Sequence, residues 1–167
     1  YVFYDPLIQV LHISDTQSGL LLTMYAIGCV ILYIPGGILA DKMNPKKALM
    51  LSLAVATILT GAFAVTILLD LPGSVAYGIS LVIWLLIAFA SGFVFWTAIL
   101  KAIRIIGTEE EQGTMYGIYY AANGTTAAII AAVNLWAYNA GGGDSNMKSG
   151  FFWAVVSMAA FTLLATI

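Results

Sequence analysis

Two cations and a tryptophan lie at helical spacing near the end of one long apolar run. Trp96, Lys101 and Arg104 are five and three residues apart, which places both cations on roughly one side of a helix. They could receive an anionic substrate or pair with Asp41 and the acidic run at 109–111. Attachment of both side chains to lipid headgroups is an equally good alternative.

A second polar group follows in the next apolar run. Its members are spaced three or four residues apart and form one helical stripe: Tyr116, Tyr119, Tyr120 and Asn123. Buried amides and hydroxyls in lipid need partners, so the stripe faces either a substrate cavity or another helix. With Trp96, Lys101 and Arg104, these are the candidate substrate-cavity residues. Asn134 and Trp84 are weaker candidates.

Residues that could support catalysis or bind a metal are scattered along the chain. The apolar runs supply isolated Ser, Thr, Tyr and Asn without a convergent acid, base or nucleophile, so no enzyme, catalytic residue or cofactor is predicted. His12 is the single histidine and predicts no metal site, and the single Cys29 cannot form an internal disulfide. A proton-coupled mechanism would need a titrating acid outside this sequence.

The composition is that of a membrane protein. Of the 167 residues, 62% are apolar and 8% are charged, whereas soluble domains carry about 25% charged residues. Six basic residues and a net charge of −2 give no cationic face for nucleic acid, which excludes that class of partner.

Five runs without a charged side chain cover residues 19–40, 48–69, 75–100, 113–138 and 150–167. Each is close to the roughly 20 residues that a helix needs to cross a bilayer. The sequence therefore predicts an all-α, polytopic transmembrane helical bundle. Pairs of small residues, including Gly28 and the Gly113/Gly117 pair, favour close helix packing. The glycine-rich connection at 139–150 predicts a flexible link, and Trp136, Tyr138 and Trp153 fit an outer interfacial belt.

Alternation of the loops separates the basic residues by side. Lys42, Lys46 and Lys47 share a side with Lys101 and Arg104, leaving Lys148 opposite. The positive-inside rule places the first group in the cytoplasm. Residues 1–17 then form the outer end of an earlier span and an external loop. We expect the sequence to be a piece of a longer protein.

The turn at 35–48, PGGILADKMNPKKA, has an ordered set of residue types. Gly37 permits close approach of another helix, and Asp41 sits unfavourably at the end of its own helix, so its carboxylate should meet a cation or another helix N-terminus. Asn44 tolerates a left-handed backbone and Pro45 suits a first helical turn. The predicted role is a conformational latch, and a charged loop that fixes topology is the alternative.

This turn resembles the loop signature of the major facilitator superfamily, between that family's second and third helices. Five residues match the signature: Gly37, Asp41, Lys42, Lys46 and Lys47. Asn44 stands where a glycine is usual and Pro45 where a basic residue is usual. The FW and KAIR pattern, followed by EEEQGTMYG, is similar to a bacterial branch of the superfamily.

The resemblance implies that residues 1–167 are the amino-terminal six-helix half of such a transporter, lacking most of the first helix. It also implies a secondary active transporter that moves a small solute by alternating access. The cations Lys101 and Arg104 make a small organic anion one candidate substrate. The transporter's partners would be that solute, the lipid bilayer and its own carboxy-terminal half, which is absent from this chain. The expected location is the bacterial inner membrane.

Two other functions remain as alternatives. An oligomeric membrane channel predicts polar stripes on more than one helix and a complete gene of about this length. A receptor or scaffold derived from a transporter would share every feature described above. Measured uptake by the full-length protein separates the transporter from both.

Overall fold

The computed structural model describes residues 3–106 and 108–166, without the side chains of Ala40, Phe93 and Val94. These ranges are helical apart from short turns, which confirms the all-α prediction. The helices are α1 (Tyr4–Leu11), α2 (Asp15–Lys42), α3 (Pro45–Leu68), α4 (Gly73–Ala88), α5 (Trp96–Ile106), α6 (Gln112–Ala140) and α7 (Met147–Leu164). A π-helical segment, Phe89–Phe95, joins α4 to α5, and a 3₁₀ turn, Gly143–Asn146, precedes α7.

Four helical stretches in the described ranges are long and apolar enough to cross a membrane: Asp15–Leu39, Pro45–Leu68, Gly73–Ile106 and Gly143–Leu164. The third combines α4, the π-helical segment and α5 into one rod of 34 residues. The fifth predicted span corresponds to α6, which has 29 residues and no charged side chain. Its Gly, Asn, Thr and Tyr residues make it less apolar than the other four.

The bundle is built around the pairing of α3 with α7. On one side α2 packs along α4 and the π-helical segment, and on the other α6 packs along α7. The short helix α1 lies across the ends of α2, α4 and α7.

The two ends of the bundle differ in charge and in packing. We call the end formed by the α2–α3 turn and the carboxyl end of α5 the basic end. The main apolar core lies toward the opposite end and includes Leu7, Leu11, Leu21, Phe63, Ile67, Ile83, Phe151 and Val155. At the basic end the buried apolar cluster consists of Ala48 and Ala98, with Met43 and Leu49 packed against it. The basic end therefore has the smaller buried apolar cluster of the two ends.

An ion pair joins two connections at the opposite end. The Lys148 Nζ lies 3.0 Å from Asp70 Oδ1, which links the α3–α4 loop to the start of α7. At the basic end, Lys101 lies against the α2–α3 turn. The structure thus separates Lys148 from the other basic residues, as predicted. The assignment of the basic end to the cytoplasm stays a prediction from the positive-inside rule.

The glycine-rich connection between α6 and α7 is a compact turn, so the prediction of a flexible link is wrong. Gly142 and Gly143 have φ values of 124° and 51°, a region that glycine enters without steric cost. The buried Tyr138 donates its hydroxyl to Asp144 Oδ1 at 2.9 Å, which corrects its assignment to an interfacial belt. Asn146 then caps α7 by accepting from the Ser149 amide at 3.2 Å. The glycine-rich pattern of the sequence does not predict these side-chain bonds.

Close helix packing occurs where α2 crosses the end of α4 and the π-helical segment. A Cβ on Gly92 would lie 2.9 Å from Cys29 Cα, and one on Gly28 would lie 2.9 Å from Ala88 Cβ. The packing predicted for Gly28 is confirmed. In contrast, a Cβ on Gly113 or Gly117 of α6 would meet no atom of the described residues within 4 Å.

We expect Gly92→Ala in the full-length protein to destabilise the bundle by about 1–3 kcal/mol, because the added methyl group overlaps the Cys29 main chain. Gly61→Ala on α3 is the matched control, since its Cβ enters open space and alanine favours a helix over glycine by about 0.5–1 kcal/mol. Denaturant-induced unfolding in detergent measures both. Equal stabilities of the two variants would contradict the described packing.

The ion pair predicts a pH-dependent stability difference for Asp70→Asn. The ammonium of Lys148 lowers the pKa of the Asp70 carboxyl below its usual value. The stabilisation is therefore present at neutral pH and is lost as the pH falls through the lowered pKa. We expect the variant to melt slightly below the unmodified protein at pH 7, by a margin that begins to shrink near pH 4 and disappears only below the lowered pKa of Asp70.

Thermal melting in detergent at several pH values measures this difference, and Lys148→Gln is the matched partner variant. Asparagine tolerates the left-handed backbone of residue 70, where φ is 51°. A melting difference that persisted at low pH would show that the substitution acts through something other than the ion pair.

Candidate functional site

Residues within the α2–α3 turn stabilise its conformation. Asn44 precedes α3 in an extended conformation, with φ −69° and ψ 124°, and its Oδ1 accepts from the Lys46 amide at 3.0 Å. Pro45 occupies the first turn of α3, as predicted. The expectation of a left-handed backbone at Asn44 is wrong, because helix capping requires an extended backbone there.

Lys101 connects this turn to α5. Its Nζ donates to the main-chain oxygen of Asp41 at 2.8 Å and to that of Met43 at 3.2 Å. The last carbonyls of a helix lack intrahelical donors and carry the negative end of its dipole. An ammonium group from a neighbouring helix satisfies both requirements. These two bonds go to main-chain oxygens at the end of α2, a partner that the sequence did not suggest for Lys101.

Two latch candidates, Gly37 and Asp41, and two cavity candidates, Lys101 and Arg104, line a cavity of about 210 Å³ at the basic end, whereas Lys42, Lys46 and Lys47 are not among its lining residues. The cavity lies between α2 and α5 and is lined by Tyr33, Gly37, Asp41, Thr97, Leu100, Lys101 and Arg104. Gly37 faces α5 here, since a Cβ on it would lie 4.0 Å from Thr97 Cγ2. The structure therefore brings two groups that are about 60 residues apart in the sequence into one site.

Sequence reasoning missed three lining residues of this cavity: Tyr33, Thr97 and Leu100. A spacing signal was present for all three. Tyr33 lies four residues before Gly37, which itself lies four before Asp41. On α5, Thr97 lies four residues before Lys101, and Leu100 lies four before Arg104. Each helix thus carries one continuous stripe along the cavity.

Charged side chains around the cavity are mostly exposed. Asp41, Lys42, Lys46, Lys47 and Arg104 are all exposed, whereas Lys101 is half-buried. The Arg104 carbonyl accepts from Gln112 Nε2 at 3.4 Å, which ties α5 to the start of α6. The Glu111 carboxylate accepts from the amide and hydroxyl of Thr108 at 3.3 and 2.9 Å. Glu111, the acid that directly precedes α6, therefore bonds within the α5–α6 loop.

A larger cavity of about 700 Å³ lies beside the turn, between α3, α5 and the end of α7. Apolar side chains form most of its wall, including Leu49, Met50, Leu53, Phe95, Ile99 and Ile105. Asn44, Lys46 and Thr166 supply polar groups to its lining. Its presence beside the smaller cavity reflects the sparse packing of the basic end.

The remaining cavity candidates lie apart from this cluster. Trp96 begins α5 and is half-buried, with its ring edge-on to Phe95 at a centroid distance of 6.1 Å. On α6, Tyr116 and Tyr119 are half-buried, while Tyr120 and Asn123 are exposed. The Tyr119 and Tyr120 rings are 5.2 Å apart. The stripe on α6 is present, but its residues are not among those that line the small cavity.

Polar pairs join the helices within the membrane-spanning part. The Ser91 hydroxyl donates to the Ile87 carbonyl at 2.8 Å and lies 3.1 Å from the Tyr25 hydroxyl. Thr57 donates to Thr162 at 2.9 Å. Asn134, a weaker cavity candidate, is buried and accepts from Ser157 at 2.6 Å. Asn134 therefore has a structural partner on α7.

The described residues provide no group of three or more His, Cys, Asp and Glu side chains that could hold a metal ion. His12 ends α1 with a left-handed backbone, φ 52°. Cys29 packs against Gly92. The chemistry of the site is therefore that of exposed charges and helix ends.

Comparison with known proteins identifies the family. The family model of the Major Facilitator Superfamily matches residues 1–167. The chain is 26% identical to the Inner membrane protein YqcE of Escherichia coli (strain K12) over 83% of this chain and 31% of that protein. It is 26% identical to the Inner membrane protein YihN of the same strain over 94% of this chain and 36% of that protein.

A third relative, the Uncharacterized protein MG294 homolog of Mycoplasma pneumoniae, is 33% identical over 81% of this chain and 30% of that protein. No solved structure matches the chain. The chain spans about a third of the length of the curated relatives that it matches. Its helical bundle, its turn at Gly37–Asp41 and the full-length family match agree: the chain belongs to the Major Facilitator Superfamily and is a multi-pass protein of the bacterial inner membrane.

Proposed function

We propose that the full-length protein is a secondary active transporter that moves a small solute across the inner membrane by alternating access. Membership of the superfamily supports transport at the level of the class. In this proposal residues 1–167 supply the amino-terminal bundle, and a second bundle lies in the part of the protein outside this chain. The solute site lies between the two bundles near the middle of the membrane.

The observation that carries the proposal is the joining of Gly37 and Asp41 with Lys101 and Arg104 around one cavity. Asp41 is exposed at the carboxyl end of α2. A carboxylate there is repelled by the dipole of its own helix, so it favours a cation or a helix N-terminus on the second bundle. This contact would close the cytoplasmic side and release as the cavity opens inward.

A small organic anion is the solute class that we propose. The exposed Arg104 lies in the cavity lining next to Lys101, and a guanidinium group binds a carboxylate through two parallel hydrogen bonds. Trp96 and the α6 stripe of Tyr116, Tyr119, Tyr120 and Asn123 would line the path farther from the basic end. In this arrangement α6 faces the second bundle, which agrees with its exposed surface in the isolated chain.

We expect Asp41→Asn to shift the full-length protein toward the inward-open state by up to about thirtyfold, because one charge–dipole contact contributes up to about 2 kcal/mol. Transport of an anion identified by a thermal-shift ligand screen should slow accordingly. The measurements are flux in proteoliposomes and the accessibility of single cysteines on the two sides of the solute path.

Glu110→Gln is the matched control, because Glu110 is an exposed acid at the same end of the bundle. It should leave flux and accessibility unchanged. If Asp41→Asn behaves like this control in both measurements, Asp41 does not act as a latch.

A further inference from the structure

Lys101 forms a polar bridge between two membrane-spanning helices at the basic end. It belongs to α5, and both of its main-chain acceptors, Asp41 and Met43, belong to the end of α2 and the turn that follows. Its side chain is half-buried, whereas the lysines of the turn itself are exposed. Lys101 thus differs from a lysine that only anchors a loop to lipid headgroups.

The bridge lies where the apolar packing among the described residues is sparse. The apolar cluster there is built on two buried alanines, Ala48 and Ala98, and cavities of about 210 and 700 Å³ flank the turn. Nearer the middle of the membrane, α2 is held against the π-helical segment by the Gly92–Cys29 contact. From that contact to the basic end, the Lys101 ammonium supplies a directional bond that fixes α2 relative to α5.

We propose that Lys101 is a positioning residue for the latch: it holds the end of α2 so that the exposed Asp41 carboxylate can reach a partner on the second bundle. The ammonium binds the main-chain oxygen of Asp41, so it fixes the backbone of this residue while its exposed carboxylate remains accessible to a partner. The inference rests on the proposed alternating-access function. It adds a role for Lys101 that is distinct from anion binding.

The test compares Lys101→Met with Lys148→Met in the full-length protein. Methionine keeps an unbranched apolar chain and removes the three N–H donors. Lys148 lies at the opposite end of the bundle, where it pairs with Asp70, so its variant removes one positive charge without changing the turn. Hydrogen exchange of the amides at 43–48 reports the contact itself, and cysteine accessibility on the two sides reports the conformational balance.

We expect Lys101→Met to speed amide exchange at 43–48 about tenfold, because each charged hydrogen bond that is lost loosens the turn. We also expect it to shift accessibility toward the inward-open state, and Asp41→Asn to add little to that shift in the double variant. Lys101→Arg should recover part of both effects, since a guanidinium can also donate to carbonyl oxygens. Lys148→Met should leave exchange at 43–48 and accessibility unchanged.

Unchanged exchange in Lys101→Met would overturn the bridge. Faster exchange with unchanged accessibility would reduce Lys101 to a structural role and overturn the inference, while the proposed transport function would stand if Asp41→Asn still shifted accessibility. A raised KM for the transported anion with unchanged exchange would assign Lys101 to the substrate site instead. If Asp41→Asn alone leaves accessibility unchanged, the proposed latch is wrong. The exchange measurement still tests the contact between Lys101 and the turn in that case.

Discussion

The end of a helix at a membrane surface must find donors for its last carbonyl groups, and this requirement organises the basic end of the bundle. In α2 the donor comes from Lys101 on α5, at 2.8 and 3.2 Å from two main-chain oxygens. The bond joins helices that are about 60 residues apart in sequence. It also draws Gly37, Asp41 and Arg104 around one small cavity. Without it, the end of α2 would depend on lipid headgroups and water.

The two ends of the bundle are held by different kinds of contact. The opposite end has the main apolar core and the Asp70–Lys148 pair, whereas the basic end has a small apolar cluster and the Lys101 bonds to the end of α2. Cavities occur at both ends, of about 210 and 700 Å³ at the basic end and about 410 Å³ at the opposite end. Polar contacts at a membrane surface can exchange with water at modest cost, while a packed core resists rearrangement. The contacts at the basic end are therefore the ones that can rearrange at the lower cost.

The sequence predicted the features that depend on solvent preference. Charge-free runs gave the long helices, alternation of the loops separated Lys148 from the other cations, and Pro45 marked the start of α3. These follow because the cost of placing a charge in lipid exceeds other local preferences. The turn signature and the helix count then led to the family.

Features that depend on contacts between distant residues were not predictable. The π-helical segment at Phe89–Phe95 has no composition signal of its own and lies where Gly92 meets Cys29. Likewise, the bonds from Lys101 to main-chain oxygens at the end of α2 were not predicted, because they depend on the placement of α2 beside α5. The compact turn after α6 depends on the Tyr138–Asp144 bond, which a glycine-rich pattern does not reveal.

The account depends most directly on the α2–α3 turn and the α5–α6 loop lying together on the cytoplasmic side. Single cysteines introduced by Lys46→Cys, Glu109→Cys or Ser145→Cys into a Cys29→Ala background can be probed with a membrane-impermeant thiol reagent. The account predicts that the first two react in inverted membrane vesicles and are protected in intact spheroplasts, and that the third behaves in the opposite way. Reaction of the first two from opposite sides of the membrane would contradict it.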